Sequence, residues 1–203
     1  QFIPKTDEPR AQNMKKNITG LSNRNIVITK KFDGTSTTYI YNNNKFSVCG
    51  RNYEITKDFD KSSWHYFEIV KRYDIENKMK ELGRNIAIQG ELCGVKINNN
   101  RLKMNDIDYY VFNIYDIDKK IYLLYDEVLD ITSKLGLKTV DLIYKGQMSD
   151  EYLEISDLLK LADKQEYSKD VPCEGIVIKT DDYKGDRISF KIISNEYLLK
   201  YKL

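Results

Sequence analysis

Lys31-Phe32-Asp33-Gly34 is the stretch of this chain whose residue types and spacing are best suited to chemistry. A lysine amine, a carboxylate two residues later and a glycine, set between two β-rich runs, can present the lysine for covalent capture of a nucleotide. The alternative is a charged strand end followed by an ordinary Asp-Gly turn, which is common in hairpins. Because strand alternation directs Lys31 and Lys30 to opposite faces, we predict that Lys31 is the nucleophile.

This chemistry sets clear requirements on the surrounding site. At neutral pH only about one lysine amine in a thousand is unprotonated, so the site must lower the lysine pKa. A divalent cation or a basic neighbour, with partial burial, can do so, and three pKa units correspond to about 4 kcal/mol. Attack at an α-phosphorus expels pyrophosphate and therefore needs a hard cation and fixed positive charge.

Later stretches supply these groups in a fixed order. Glu91 and Glu174 each stand beside a glycine at a strand edge, where carboxylates suit magnesium or its waters. Lys179 and Lys191 lie on β-rich strands and would clamp phosphates if they face one pocket, or be solvated surface lysines if they face outward. The stretches are Ser47 to Arg51, Gln89-Gly90-Glu91-Leu92, Tyr109-Tyr110-Val111-Phe112-Asn113, Glu174-Gly175-Ile176-Val177-Ile178-Lys179 and Ser189-Phe190-Lys191.

Two more side chains are candidates for nucleotide binding. Phe112 can stack on a purine face, although packing in the core is the default for such a residue. Arg51 follows Cys49-Gly50, a turn context that should expose its side chain enough to reach a phosphate or a sugar hydroxyl.

Composition excludes several other classes of protein. The 203 residues carry 33 basic and 31 acidic side chains, so any nucleic-acid site must be a local patch. The single histidine, His65, and the three widely spaced cysteines argue against a zinc site and a disulfide framework. The 16 tyrosines suit β-sheet packing better than a stacking surface. Short apolar runs exclude a membrane span, and we expect a soluble protein of a reducing compartment, cytoplasmic or nuclear.

The predicted strands group in hairpins rather than in regular βαβ alternation, which predicts an α+β fold with largely antiparallel sheets. The family resemblance given below implies that these sheets form a central nucleotide pocket. We expect a lead-in segment over residues 1–24, joined to something upstream, and one catalytic domain over residues 25–203. Asp33-Gly34 should form the first corner of an antiparallel meander. The predicted strands are 25–32, 37–41, 45–49, 85–92, 109–117, 138–143, 175–180 and 187–193, and the predicted helices are 63–82, capped by Ser62 or Ser63, 124–135, 149–164 and a short one from Asn195.

These residues, in this order, resemble the motifs of the covalent nucleotidyltransferase superfamily, which includes ATP-dependent ligases and mRNA capping enzymes. The chain is most similar to ATP-dependent RNA ligases of the branch that carries an OB domain before its nucleotidyltransferase domain, with an ATP-grasp-like fold. The detailed resemblance covers Phe2-Ile3-Pro4-Lys5-Thr6-Asp7-Glu8 with Gln12-Asn13, Gln89-Gly90-Glu91-Leu92, Ser189-Phe190-Lys191-Ile192-Ile193-Ser194-Asn195 and Tyr197-Leu198-Leu199-Lys200.

The resemblance implies that ATP adenylylates Lys31, with magnesium or manganese as the cofactor. It implies that Asp33 orients the lysine or a metal-bound water, that Arg51 and Glu91 bind the sugar side of the nucleotide, and that Phe112 stacks on adenine. Glu174 would help to hold the metal, together with Asp33 and Glu91, and the catalytic Lys179 and Lys191 would contact the α-phosphate. AMP would then pass to a 5′-phosphate RNA end, and a 3′-hydroxyl would seal a nicked duplex, with the enzyme acting as a monomer.

Two positions depart from the family pattern. Lys30 stands where family members often have glutamate, and Ser189 stands where many superfamily members have lysine. The upstream OB domain is absent from this chain, so we expect self-adenylylation to be retained more readily than end joining. The alternatives are a DNA ligase, an mRNA capping nucleotidyltransferase, or a module that binds ATP or RNA without catalysis.

Overall fold

The computed structural model describes residues 3–11, 18–56, 63–152 and 154–203, which form thirteen strands and five α-helices. The strands are β1 Asn25–Lys31, β2 Thr35–Asn42, β3 Lys45–Cys49, β4 Glu54–Ile55, β5 Ile86–Cys93, β6 Asp108–Asp116, β7 Ile121–Tyr122, β8 Lys138–Thr139, β9 Leu142–Gln147, β10 Glu166–Ser168, β11 Val171–Pro172, β12 Gly175–Thr180 and β13 Ser189–Ile193. The helices are α1 Trp64–Tyr73, α2 Ile75–Leu82, α3 Tyr125–Leu135, α4 Ile155–Asp163 and α5 Asn195–Tyr201.

These elements divide into two compact units. The first unit contains Gln1–Thr6 and Gly34–Thr139, and the second contains Asp7–Asp33 and Val140–Leu203. The chain therefore passes from one unit to the other between Asp33 and Gly34, inside the stretch that the sequence marks as the candidate site.

A seven-stranded sheet is the centre of the first unit. Its strands run β4-β3-β2-β5-β6-β7, and β8 pairs with β6 as a short parallel partner. Alternation places Tyr39 and Tyr41 of β2 on one face, where they pack with apolar residues of α1, α2 and α3. The opposite face carries a smaller cluster of Ile3, Ile40, Ala87 and Tyr115.

The second unit is built on an antiparallel four-stranded sheet in the order β13-β12-β1-β9. One face of this sheet is apolar and packs against α4, whose Leu158 and Ala162 are fully buried. The members of this cluster on the three central strands are Ile26, Ile28, Ile176, Ile178, Phe190 and Ile192. The second unit also contains the small β10–β11 hairpin and α5.

The predicted α+β class with largely antiparallel sheets is confirmed. The predicted meander is wrong, because β1 pairs with β12 and β9 whereas β2 pairs with β3 and β5. Asp33-Gly34 carries the chain from one sheet to another rather than reversing it within a hairpin. The local pattern identifies both strands but contains no information about their distant partners.

The single helix predicted over residues 63–82 is wrong, because Asp74 adopts the left-handed conformation (φ 52°) and separates α1 from α2. Aspartate tolerates this conformation, and the Asn77 amide donates to its carboxylate at 2.7 Å. Ser63 occupies the N-cap position as predicted, and Gly83 ends α2, while Ser62 lies outside the described residues.

Two further boundaries differ from the prediction. The strand predicted over residues 138–143 is two strands in different units, β8 and β9, since the chain crosses between the units after Thr139. The helix predicted over residues 149–164 begins only at Ile155, after a 3₁₀ turn over Asp150–Tyr152.

The β10–β11 hairpin was not predicted at all. The quoted motif residues Phe2, Gln12 and Asn13 lie outside the described residues. Within the described part of the chain, no helix has both the length and the apolar character that crossing a membrane requires.

Candidate active site

Three lysines share one face of the four-stranded sheet. The apolar residues of β1, β12 and β13 occupy the other face, so alternation places Lys31, Lys179 and Lys191 together with Val177 on the face opposite the core. Lys31 is opposite Gly175, Val177 is opposite Lys191, and Lys179 is opposite Ser189. An added Cβ at Gly175 would lie 2.0 Å from the Ile192 carbonyl oxygen, so this approach of β12 to β13 requires glycine.

The Lys31 amine is held by a carboxylate at the end of this face. Its Nζ lies 2.7 Å from Oε2 of Glu174, and the two side chains are only 22% and 19% exposed. Burial raises the pKa of Glu174, and the charge of Lys31 opposes that shift. The pKa of Lys191 is lowered by burial and by the charge of Lys31, which indicates that the two amines are close. Lys31, Glu174 and Lys191 therefore form one electrostatic cluster.

Asp33 is fixed by a tyrosine from the last helix. The Tyr197 hydroxyl donates to Oδ2 of Asp33 at 2.5 Å. The position of Tyr197 is set by the start of α5, where Ser194 is the N-cap residue and its Oγ accepts the Tyr197 N–H. The Ser194 hydroxyl donates in turn to Asp163 at the end of α4. The charge of Asp33 also contributes to the raised pKa of Glu174, so this carboxylate belongs to the same cluster.

Lys179 lies on the same face but in a different electrostatic environment. Its side chain is 9% exposed, and burial together with the charge of Arg187 lowers its pKa to about 7, against weaker effects of Glu8 and Asp181. The hydroxyl of Ser189, directly across from it, is buried without a hydrogen-bond partner among the described residues. A lysine at position 189, which many members of the resembled superfamily have, would thus add another amine beside a buried one.

The Lys30 side chain is held by an ion pair and by a hydrogen bond to a main-chain carbonyl. Its Nζ lies 2.8 Å from Oδ2 of Asp141 and donates to the Glu166 carbonyl at 2.8 Å. These contacts lie on the face opposite that of Lys31, as the strand alternation predicted. The residue that departs from the family pattern is therefore engaged away from the lysine cluster.

In the first unit, Gly34 is held by side chains at both of its main-chain polar groups. Its N–H donates to Oε1 of Glu91 at 3.1 Å, and its carbonyl accepts the Asn98 amide at 2.5 Å. A Cβ at Gly34 would lie 2.3 Å from the Leu92 carbonyl oxygen, so only glycine fits. The Asp-Gly step is therefore a tightly packed connection rather than a solvent-exposed turn.

Glu91 lies on the face of the seven-stranded sheet opposite its helices, because Ile88 and Leu92 of the same strand pack on the helix side. Phe112 is half-buried, belongs to none of the three hydrophobic clusters, and stands at a β-bulge opposite Gln89-Gly90. Whether Phe112 stacks on a purine or packs in the core stays a prediction. Oε1 of the fully buried Gln89 has no hydrogen-bond partner in the described part of the chain, while its Nε2 donates to the Pro4 carbonyl at 2.9 Å.

Arg51 is exposed and lines a small cavity of about 170 Å³ in the first unit. The other lining residues are Ile3, Pro4, Lys5, Thr6, Thr38, Ile40, Cys49 and Gly50. Arg51 thus lies at a concave surface that also includes threonine residues, a setting that suits an anion or a sugar.

Comparison with known proteins assigns the family. The model of the RNA ligase family matches residues 24–193, so the chain belongs to the RNA ligase family. A Naegleria gruberi RNA ligase mutant solved with ATP and Mn is 33% identical, with a TM-score of 0.88. The same ligase with PPi has a TM-score of 0.89, and a mutant with AMP and Mn has 0.88, each at 33% identity. A search of the curated proteins found no match.

This chain spans little more than half the length of the Naegleria gruberi ligase. Each alignment covers 100% of this chain but only 59% of the Naegleria gruberi chain. The nucleotidyltransferase fold of the RNA ligases therefore accounts for the whole of this chain.

The structure brings together four of the predicted site residues, Lys31, Asp33, Glu174 and Lys191, and places Lys179 on the same face. Arg51, Glu91 and Phe112 lie in the first unit. Sequence analysis missed Tyr167, Tyr197 and Asn98 as neighbours of the Lys31–Gly34 stretch. Tyr197 lies in a quoted motif but had no assigned role, and no local signal indicates Tyr167 or Asn98.

Proposed function

We propose that this chain is the nucleotidyltransferase domain of an ATP-dependent RNA ligase and that Lys31 is the residue that ATP adenylylates. The observation that carries the proposal is the partly buried cluster in which the Lys31 amine meets Glu174 at 2.7 Å, on a face shared with Lys179 and Lys191. Family membership through residues 24–193 supports the same function.

The first step forms a phosphoramidate. The unprotonated Lys31 amine attacks the α-phosphorus of ATP, the N–P bond forms, and the bond to the bridging oxygen breaks, so that pyrophosphate leaves. The Lys31 nitrogen carries a positive charge after the attack, and it then loses one proton to solvent to give the neutral phosphoramidate. Lys191 and Lys179 are proposed to supply positive charge for the phosphate oxygens. Burial together with the charge of Lys31 lowers the pKa of Lys191.

The donor set fits ATP and a hard divalent cation. Carboxylates of Asp33 and Glu174 in the second unit and Glu91 in the first are oxygen ligands of the kind magnesium and manganese prefer. The described residues contain no group of three or more His, Cys, Asp or Glu side chains arranged to hold an ion. Magnesium is commonly bound by one or two carboxylates, waters and substrate phosphates, so such a group is not required. When bound, the ion would neutralise charge on the triphosphate.

The first unit supplies the proposed nucleoside contacts. Phe112 is proposed to stack on adenine, which its position outside the hydrophobic clusters supports. Arg51 and Glu91 are proposed to bind the sugar side. Arg51 is exposed beside a cavity, and Glu91 lies on the strand face opposite the helices.

The remaining steps require RNA. AMP is proposed to pass from Lys31 to a 5′-phosphate end, which breaks the N–P bond and forms a phosphoanhydride. A 3′-hydroxyl then attacks the 5′-phosphorus, the phosphodiester forms and AMP leaves. We propose a nicked duplex as the substrate and a monomer as the active form. Residues 25–203 are proposed to form the catalytic domain, and residues 1–24 are proposed to form an entry segment that precedes it. Cys49, Cys93 and Cys173 are not joined in disulfides, which is compatible with the proposed reducing compartment, cytoplasmic or nuclear.

The test is covalent labelling with α-³²P-ATP and Mg²⁺. Wild-type protein should retain the label after denaturation, Lys31→Ala should retain none, and the matched variant Lys30→Ala should still be labelled. A label that survives in Lys31→Ala refutes the assignment. Tight ATP binding without any adduct in the wild type would indicate a non-catalytic module instead.

Two further arms distinguish the related enzymes. Labelling by α-³²P-GTP in preference to ATP would indicate a capping nucleotidyltransferase. A substrate with an RNA 3′-hydroxyl strand should be sealed better than an all-DNA nick, and the reverse preference would indicate a DNA ligase.

A further inference from the structure

The β10–β11 hairpin leads directly into the candidate active site. Glu166–Ser168 pairs with Val171–Pro172, and the chain then continues through Cys173 to Glu174, which forms the ion pair with Lys31. A second ladder contact, from the Cys173 N–H to the Gln165 carbonyl at 2.9 Å, closes the base of the hairpin. The geometry of Glu174 therefore depends on how this hairpin is fixed to β1.

One hydroxyl group makes that connection. The Tyr167 hydroxyl donates to the main-chain carbonyl of Lys31 at 2.6 Å, and it accepts the main-chain N–H of Glu174 at 3.1 Å. A single oxygen atom thus joins the backbones of the two residues whose side chains form the ion pair. In sequence Tyr167 is 136 residues from Lys31, so this contact exists only in the folded chain.

The surroundings of Tyr167 keep its hydroxyl fixed and protonated. Its ring packs edge-on against Phe32, with the centroids 5.3 Å apart and the planes at 78°. Burial raises the pKa of Tyr167, so the phenol remains a hydrogen-bond donor throughout the neutral range. The Cys173 thiol contacts the same Lys31 carbonyl at 3.3 Å and also the Gly175 carbonyl at 3.1 Å. Burial raises the pKa of Cys173 to about 11, so the thiol is a donor as well.

We propose that Tyr167 is a positioning residue for adenylylation, which sets the Lys31 amine and the Glu174 carboxylate in the relative geometry that attack on phosphorus requires. This inference rests on the proposed function. In-line attack is sensitive to geometry, since a displacement of about 1 Å can cost about 100-fold in rate. Tyr167 acts through the backbones of the two reacting-site residues and needs no contact with ATP.

A purely structural role predicts a different result. A hydroxyl-to-carbonyl hydrogen bond that only stabilises the fold would, when lost, lower thermal stability and leave the rate of the folded protein unchanged. Tyr144 provides a matched control, because its hydroxyl also donates to a main-chain carbonyl of the second unit, that of Gln147 at 2.7 Å. The control contact lies at β9 and touches neither Lys31 nor Glu174.

The experiment is single-turnover labelling with α-³²P-ATP and Mg²⁺ over a range of ATP concentrations, using wild type, Tyr167→Phe and Tyr144→Phe. For Tyr167→Phe we expect the maximal rate to fall about 10- to 100-fold, while half-saturation by ATP stays within about twofold. Tyr144→Phe should keep the wild-type rate. Melting temperatures of both variants should fall by a similar amount, about 2–4 °C or less.

The outcomes separate the two proposals. If the wild type is not labelled, the proposed function fails. If the wild type is labelled and Tyr167→Phe reaches the wild-type maximal rate, the positioning role alone fails. It also fails if Tyr144→Phe is slowed equally or if the whole effect lies in ATP half-saturation. Cys173→Ala tests the second donor to the Lys31 carbonyl and should lower the rate less than Tyr167→Phe does. If the folded Cys173→Ala and Tyr167→Phe variants lose rate equally, Tyr167 is not the main residue that positions Lys31 and Glu174.

Discussion

The two units differ in how they hold their polar side chains. In the second unit, Lys31, Glu174 and Lys191 are partly buried charges whose pKa values or ion pairs depend on one another. In the first unit, Arg51 is exposed and Phe112 is half-buried outside the core. The second unit therefore holds a cluster of interacting charges, whereas the first holds Arg51 at its surface and Phe112 outside its hydrophobic clusters. On the proposed function, we expect the chemical step to depend on the second unit and nucleoside binding on the first.

This difference predicts a division of kinetic effects. Substitutions in the lysine cluster should change the rate at saturating ATP, because that environment stabilises charge as it develops. Substitutions in the first unit should change the ATP concentration that half-saturates the protein, because they remove binding in the ground state and the transition state alike.

The largest effect is expected from Glu174→Gln. The change leaves the Lys31 amine beside a neutral amide and removes a proposed metal ligand, so maximal labelling should fall about 100-fold, or about 2.7 kcal/mol. Single-turnover labelling at saturating ATP measures it. Glu166→Gln is the matched control, an exposed side chain of the same hairpin, and should keep the wild-type rate. A Glu174→Gln protein that reaches the wild-type rate would remove the lysine cluster from the chemistry.

Sequence patterns predicted much of the framework on which this cluster is built. The β-branched runs identified β1, β3, β5, β6 and β12 within a residue or two, and alternation correctly separated Lys30 from Lys31. These successes share a cause, because periodicity and alternation are local properties of a strand.

The errors in the predicted fold and site also share one cause, which is contact between residues that are far apart in the sequence. The pairing of β1 with β12 rather than β2 is decided by burial of Ile26 and Ile28 against residues about 150 positions later, which a local pattern does not contain. Tyr167 and Tyr197 reach Lys31 and Asp33 across sequence separations of 136 and 164 residues. The hairpin that carries Tyr167 consists of two- and three-residue strands with a proline, which weakens any strand signal.

The second-largest effect is expected in the pH dependence of the free energy of unfolding, and it comes from Lys179. Its pKa is lowered from 10.5 to about 7 in the folded protein, so the unfolded chain binds more protons between these values. Stability from this group is therefore complete only above about pH 10.5 and is lost as pH falls towards 7. Between pH 7 and pH 9 the wild type should gain about 2 kcal/mol in the free energy of unfolding relative to Lys179→Met.

Urea denaturation at both pH values measures this difference. Lys184→Met is the matched control, an exposed lysine in the loop between the same two strands, and its stability should run parallel to that of the wild type. Parallel curves for Lys179→Met and the wild type would mean that the second unit does not hold an uncharged lysine at neutral pH, and the contrast with the first unit would weaken.

The smallest effect is expected from Phe112→Leu. The substitution keeps an apolar side chain at the β-bulge but removes the aromatic face, which is worth about 1–3 kcal/mol for a stacked base. Half-saturation by ATP should rise about tenfold, equivalent to about 1.4 kcal/mol, while maximal labelling stays within about twofold. Phe46→Leu, at a partly buried ring that packs on the first unit's core, should change neither quantity in the folded protein. If Phe112→Leu instead lowers the maximal rate with unchanged half-saturation, the first unit takes part in the chemical step and the division between the units does not hold.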